Sequence, residues 1–253
     1  MMKIAVRTDI GRIRLRNEDR GFAEETDSGL TVAILADGMG GHQAGDVASQ
    51  LALDTILGVV RGGASGALSI HERKTLIRQA ILEANEVVYD TAAQNEQYRD
   101  MGTTIVVALL QAEDGVIGHI GDSRAYKWRE GVLSQLTTDH TFVNELVKSG
   151  QITAEEAIHH PRRNVITRAL GTDEQVEADV RGIPWTSGDM LLLCSDGLTD
   201  MVSDADIAET LVSSELDLDG KADKLVSLAL EAGGDDNITV ILLDHAGAAE
   251  QGE

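Results

Sequence analysis

Four apolar runs in this chain break off at an aspartate that has glycine close by. Residues 30–36 run into Asp37-Gly38, residues 116–120 into Gly121-Asp122 and residues 190–194 into Ser195-Asp196-Gly197, while Asp236, behind Gly233-Gly234-Asp235, opens the run 238–243. Short aliphatic and β-branched runs bounded by turn formers read as buried strands. A carboxylate has no place inside such a strand, so each acid stands at a strand mouth. One acid there is an ordinary tight turn. Repeated at four strands, with Glu18-Asp19 as a fifth station, the pattern describes a site if the mouths converge on one end of a sheet core. Gly38, Gly40, Gly41 and Gly45 crowd the link between the first run and an apolar helix pattern starting near Asp46. Their freedom at positive φ lets the backbone approach a metal, a phosphate or another backbone.

The remaining chain supplies layers to cover the strands. Apolar residues at Ala48, Leu51, Ala52, Ile56 and Val59, then at Ile77, Ala80, Ile81, Ala84, Val88 and Thr91, recur at helical spacing over 46–60 and 72–97. These two helices are expected to pack together on a sheet. Further strands are expected at 3–8, 103–110, 126–128, 132–136 and 176–183, and further helices at 204–213 and 221–232. Between Asp139 and Thr172 no strand pattern is sustained; short helical pieces at 142–148 and 154–158 favour a semi-ordered flap over a disordered insert. His159 and His160 in it are expected to face solvent. Residues 12–16 alternate arginine with apolar residues, which reads either as an exposed, salt-bridged strand edge or as a source of cations for the acids that follow. Nothing marks an internal boundary, so residues 1–245 are read as one domain and 246–253 as a frayed tail.

Charge narrows the partners. Asp and Glu number 43 against 21 Lys and Arg, a net charge of −22, which repels nucleic acid and anionic membranes. The excess serves solubility, or gathers cations. Aromatics make up 3%, so aliphatic side chains must fill the core. The one cysteine, Cys194, lies within an apolar run and reads as a buried structural thiol in a reducing compartment. No apolar run approaches the roughly 20 residues of a membrane span, and a cytoplasmic monomer is expected.

Clustered acids need counter-charge. Two carboxylates about 4 Å apart repel by about 4 kcal/mol at an effective dielectric near 20. An all-oxygen donor set, without cysteine or paired histidine at ligand spacing, selects hard ions such as Mg²⁺ or Mn²⁺ over zinc. Two such ions lower the pKa of a bridging water and hold a phosphate in line for attack. Phosphate also calls for a planar cation, and Arg14 is the candidate.

Taken in order, Asp9-Ile-Gly11-Arg-Ile-Arg14-Leu-Arg-Asn17-Glu18-Asp19, Asp37-Gly38-Met-Gly-Gly, Gly-Thr103-Thr104, Gly121-Asp122-Ser123-Arg124, Ser195-Asp196-Gly197 and Asp236-Asn237 resemble the successive motifs of the metal-dependent protein phosphatases. This is the PPM or type 2C serine/threonine family in its compact bacterial form, and the likeness runs from Asp9 to about Leu243. It implies an α+β fold, a four-layer αββα sandwich of two antiparallel sheets flanked by helix pairs. It implies hydrolysis of phosphoserine and phosphothreonine on proteins by a metal-activated water, opposing a serine/threonine kinase in bacterial signalling. By the same resemblance Asp37 bridges two Mn²⁺ or Mg²⁺ ions; Asp196 and Asp236 hold the first, and Glu18 with the Gly38 carbonyl the second. Asp122 with Asp196 forms a weaker third site, Arg14 grips the substrate phosphate and Asp19 orders metal-bound water. The flap, opening at Asp139 and closing near Leu170, contributes to substrate choice.

The chain departs from the pattern at one place. Eukaryotic relatives carry a histidine two residues after the bridging aspartate, assigned as general acid; here Met39 stands there and the nearest histidine is His42. His42 is a candidate for that role, with a water, or helix capping by His42, as the alternatives. A non-catalytic signalling module on the same fold would show a broken ligand set, which this sequence does not. A calcium-binding domain would place its acids in local loops rather than along the chain, and a small-molecule phosphatase remains open.

Overall fold

A computed structural model describes residues 2–40, 44–64, 66–111 and 113–245; His42 and the tail 246–253 lie outside them. Two antiparallel sheets form its middle. The first runs in the order β1 (Lys3–Asp9), β11 (Ile238–Asp244), β10 (Met190–Cys194), β7 (Arg124–Arg129), β8 (Val132–Gln135). The second runs β2 (Asp19–Glu25), β3 (Thr31–Met39), β5 (Ile105–Gln111), β6 (Asp114–Ile120), β9 (Asp179–Pro184), with the short β4 (Gly102–Thr103) beside β3. The strand β2 was not foreseen, because its alternation is muddied by Arg20, Gly21 and two glutamates.

Side-chain alternation explains why the strands read as unbroken apolar runs. In β3, Val32 and Ile34 face outward onto Ala48, Ala52, Ile56, Ile77 and Ile81 of helices α1 (Ala44–Gly63) and α2 (Ile70–Gln94), while Ala33 and Leu35 face the other sheet. In β11, Ile241 and Leu243 point into the same inter-sheet layer; Val240 and Leu242 point out onto helices α6 (Asp204–Val212) and α7 (Leu218–Glu231). Both faces of each sheet are buried, so period-two alternation separates two apolar surfaces rather than apolar from polar. The order is helix, sheet, sheet, helix. Cys194 is fully buried against the outer helix pair, and burial pushes its thiol up to about 12. Among the described residues no helix is long and apolar enough to cross a membrane.

Antiparallel pairing carries the acids to one end. Asp19 at the start of β2 lies opposite Asp37 near the end of β3. The last residue of β10, Cys194, lies opposite Val240 near the start of β11, so Asp196 and Asp236 emerge together. β6 runs in the same direction as β3, separated from it by β5, and delivers Gly121-Asp122 to that end as well.

The segment after Asp139 holds helices α3 (Phe142–Lys148) and α4 (Ala154–Ile158). His159 is exposed and His160 half-buried, its ring tilted against Phe142 with centroids 6.1 Å apart. The alternating stretch 12–16 is a loop and not a strand edge. One short helix was not anticipated, α5 (Asp196–Thr199), which begins at the acid itself.

The helix layer sits close on the second sheet at β6, where a Cβ on Gly118 would overlap the Ile77 side chain and come within 3.2 Å of Ile81 Cδ1. Gly118→Ala is therefore expected to cost about 1–3 kcal/mol through overpacking, seen as a lower urea midpoint with an unchanged slope.

Candidate active site

The strand mouths open into a cleft of about 960 Å³ whose walls include Arg14, Glu18, Asp37, Gly38, Asp196 and Asp236. A second cleft of about 560 Å³ runs under the flap past Asp122, Arg124, Asp139 and Asp200, and Asp196 and Asn164 border both. Asp19 is buried behind the first cleft at 2% exposure. Its Oδ2 accepts from Ser195 Oγ at 2.8 Å, and that hydroxyl in turn accepts the Thr239 N–H at 2.9 Å.

Backbone anchoring fixes Asp37. Its carbonyl accepts from Thr104 N at 2.8 Å and from Thr103 Oγ1 at 2.9 Å, and its own N–H donates to Thr104 Oγ1 at 3.2 Å. Gly38 is required for space, not for turning: its φ is ordinary, and a Cβ there would overlap the Gly45 carbonyl at the start of α1. Among the described neighbouring glycines, Gly40 takes a positive φ, 137°. The Glu18 carboxyl packs against Gly45, where the helix N-terminus favours negative charge.

The loop before Glu18 is held by Asn237, whose Nδ2 donates to the carbonyls of Ile10 and Arg16, each at 2.9 Å, and whose Oδ1 accepts from Glu18 N at 2.8 Å. The sequence motif includes Asn237, yet no sequence signal shows this use of the amide. Arg14, pointing from the loop into the cleft, donates through Nη2 to Asp236 Oδ2 at 2.6 Å. Burial works against the Arg14 charge, but Asp236, then Asp196 and Asp37, outweigh it and raise the pKa.

The acids strain against one another. Burial, then the charges of Asp19 and Asp196, hold Asp37 well above the usual carboxylate range; burial, then Asp122 and Asp236, do the same to Asp196. Asp19 and Asp122 are each pushed up to about 6, in both cases chiefly by burial. Glu18 is raised by burial, with Asp236 and Asp19 adding and Arg14 opposing. Oδ1 of Asp19 and Oδ1 of Asp122 are buried without a hydrogen-bond partner. Unsatisfied, all-oxygen and too negative for its burial, this donor set fits hard divalent cations.

Outside this cleft, His119, His140 and Asp179 bring possible ligand atoms within 4.8 Å of one another. Hydrogen bonding argues against a metal there. His140 Nδ1 accepts the Gly121 N–H at 3.1 Å, so the ring proton sits on Nε2, 3.6 Å from Asp179 Oδ2. His119 stacks on it with centroids 4.7 Å apart and donates through Nε2 to the Thr138 carbonyl at 3.0 Å. Burial lowers both imidazoles, His140 to about 4. With His140 N–H donating to the Gly121 carbonyl at 2.9 Å and Thr167 N–H to the His140 carbonyl at 2.8 Å, the neutral pair is a strut between the strand mouth and the flap.

A four-layer sandwich with an acid cluster and an arginine at the sheet mouth defines a metal-dependent phosphohydrolase. Residues 12–227 match the protein phosphatase 2C family. The chain is 43% identical over 244 residues to the serine/threonine phosphatase stp of Listeria monocytogenes, covering 96% of each. It superposes on the serine/threonine phosphatase Stp1 of Staphylococcus aureus with a TM-score of 0.91 at 40% identity, over 98% of this chain and 96% of that one. On the catalytic domain of the phosphatase PstP, solved in complex with two manganese ions, the TM-score is 0.84 at 37% identity, over 97% and 99% of the two chains. The chain belongs to the protein phosphatase 2C family and is a bacterial-type serine/threonine protein phosphatase.

The raised carboxylates give a signed prediction. Asp19 and Asp122 bind protons more tightly folded than unfolded, so their contribution to ion-free stability is full below about pH 4 and is lost as pH rises through 6. In chelator, Asp122→Asn is expected to raise Tm at pH 7.5 by about 2–4 °C, with a smaller gain at pH 5, and Mn²⁺ is expected to raise the unsubstituted protein's Tm more at pH 7.5 than at pH 5.5. A thermal-shift series over pH checks both.

Proposed function

We propose that this phosphatase acts on phosphoserine and phosphothreonine in proteins, with Asp37 shared between two divalent cations, Mn²⁺ or Mg²⁺. Asp196 and Asp236 would hold the first, Glu18 and the Gly38 carbonyl the second, and Asp122 with Asp196 a weaker third. The observation that carries this is the convergence of Glu18, Asp37, Asp196 and Asp236 from distant parts of the chain on one cleft with Arg14 in its wall, Asp122 lining the adjoining cleft that Asp196 also borders. Such ions, when bound, supply the Lewis acidity that makes water nucleophilic at neutral pH and neutralises phosphate.

The chain's own groups do the positioning. Arg14 engages Asp236 through one of its five N–H groups, and the rest of its fork is available to a phosphate dianion. Asp236 would offer the same oxygen to a cation, and Arg14 would then serve the substrate phosphate. Asp19, locked through Ser195, offers its unpaired Oδ1 as an acceptor that orients water. His42 is proposed as the proton donor to the leaving alkoxide, its imidazole suited to that task near neutral pH. The flap from Asp139 to Leu170 overhangs both clefts through Asn164 and contributes to substrate choice. Substrates include a serine/threonine kinase or its targets, encountered in the cytoplasm by a monomer.

Hydrolysis of p-nitrophenyl phosphate is expected to require Mn²⁺ or Mg²⁺, and Asp37→Asn to lower it by about 10²-fold or more; metal-independent turnover, or full activity in that variant, would overturn the mechanism. Arg14→Ala is expected to raise KM for phosphate esters by about tenfold while the melting temperature holds. Unchanged kinetics would remove its assigned role.

A further inference from the structure

The two most exposed large apolar side chains among the described residues sit on either side of Arg14. Leu15 is 94% exposed and Ile13 66%, and both border the 960 Å³ cleft, with Met39 and Ile166 also in its lining. Single exposed apolar residues are common and need no explanation. These two differ in belonging to a pinned loop. Asn237 grips the carbonyls of Ile10 and Arg16, Arg12 N–H donates to the Gly234 carbonyl at 2.7 Å, and Asp9 Oδ1 accepts the Gly11 N–H at 2.8 Å. The backbone is held from both ends while Ile13 and Leu15 are left facing water.

The loop's own charge has a sign opposite to that of the whole chain. In a chain of net charge −22, this loop reads Arg12-Ile13-Arg14-Leu15-Arg16, and Arg16 is exposed. The cleft is also far larger than a phosphate, since volumes of roughly 300–1,000 Å³ accommodate drug-sized ligands. A basic and apolar rim beside a site for a phosphate dianion matches a flexible polypeptide segment that carries the phosphorylated residue between apolar neighbours.

We propose that Ile13 and Leu15 form a docking rim for the apolar side chains flanking the phosphorylated serine or threonine, giving the enzyme preference for phosphoproteins over small phosphate esters. This rests on the phosphatase reading above. Arg14 anchors the phosphate, and its two apolar neighbours read the sequence on either side by burying area that is otherwise wet.

The experiment compares the metal-loaded full chain with an Ile13→Ser/Leu15→Ser variant on p-nitrophenyl phosphate and on two phosphothreonine peptides. One peptide carries leucine and valine next to the phosphothreonine, the other glycine and serine. The unsubstituted enzyme is expected to favour the apolar peptide by about tenfold in kcat/KM, chiefly through KM. The variant is expected to treat the two peptides alike, to keep its rate on p-nitrophenyl phosphate and to melt at the same temperature, since both side chains are exposed. A preference that survives in the variant, or is missing from the parent, overturns the proposal. An equal loss on p-nitrophenyl phosphate also overturns it, because the loop would then serve only to place Arg14. Light scattering that shows a dimer broken by the variant, with peptide preference unchanged, assigns the rim to self-association instead. A parent inactive on all three substrates with Mn²⁺ brings down the phosphatase reading itself, which no result on peptide preference does.

Discussion

Repulsion among the carboxylates at the sheet mouths sets the terms for the rest of this structure. Asp37 and Asp196 sit in a setting that favours their neutral forms, and Asp19 is sealed beneath them with one oxygen unpaired. Such a cluster persists only when the scaffold holding it is stiffer than the force pushing it apart. Here the stiffness comes from strands covered on both faces, and from backbone bonds that fix each acid at its root. Thr103 and Thr104 secure Asp37, and Ser195 clasps Asp19 while it also takes a ladder N–H. The acids cannot splay to relieve their charge. What relieves it must come from solution, as protons or as the hard divalent cations that this all-oxygen donor set fits.

The same logic governs the arginine loop. For the phosphate grip proposed for Arg14, looseness would gain little, because ordering the guanidinium on binding would cost entropy that the contact must then recover. Asn237 removes that cost by satisfying the loop's carbonyls with one fully employed amide. Arg14 and the apolar side chains beside it are thereby presented as a fixed surface. On the opposite flank, the stacked histidines His119 and His140 tie the flap's base to Gly121. Burial keeps both rings neutral, so the strut brings no charge to that flank.

Much of this was legible in the sequence. The strand-end acids, the flap helices and the paired helices over the second sheet follow from apolar periodicity and turn chemistry, and the family motifs organised them into a site. What escaped has a common physical cause. β2 carries its partner contacts on a polar, half-buried edge, so alternation gave no signal. Arg73 looks like a solvent-facing helix residue, yet it is 2% exposed and ion-paired to Asp114. Asn237, Ser195 and the histidine strut act through single hydrogen bonds between residues far apart in sequence. A local pattern cannot encode such pairings, since they exist only after the strands have met.

The bond from Glu18 N to Asn237 Oδ1 spans 219 positions, and among the described residues β1 pairs in its sheet only with β11, far along the chain. A growing polypeptide on the ribosome therefore makes Arg14, Glu18 and Asp37 early but has neither Asp236 nor Asn237 to finish the site. Until the last strand emerges, β1 has an open edge and the arginine loop has no clamp. Synthesis and completion of the cleft are thus coupled by topology: a stalled product carries the arginine loop without Asp236.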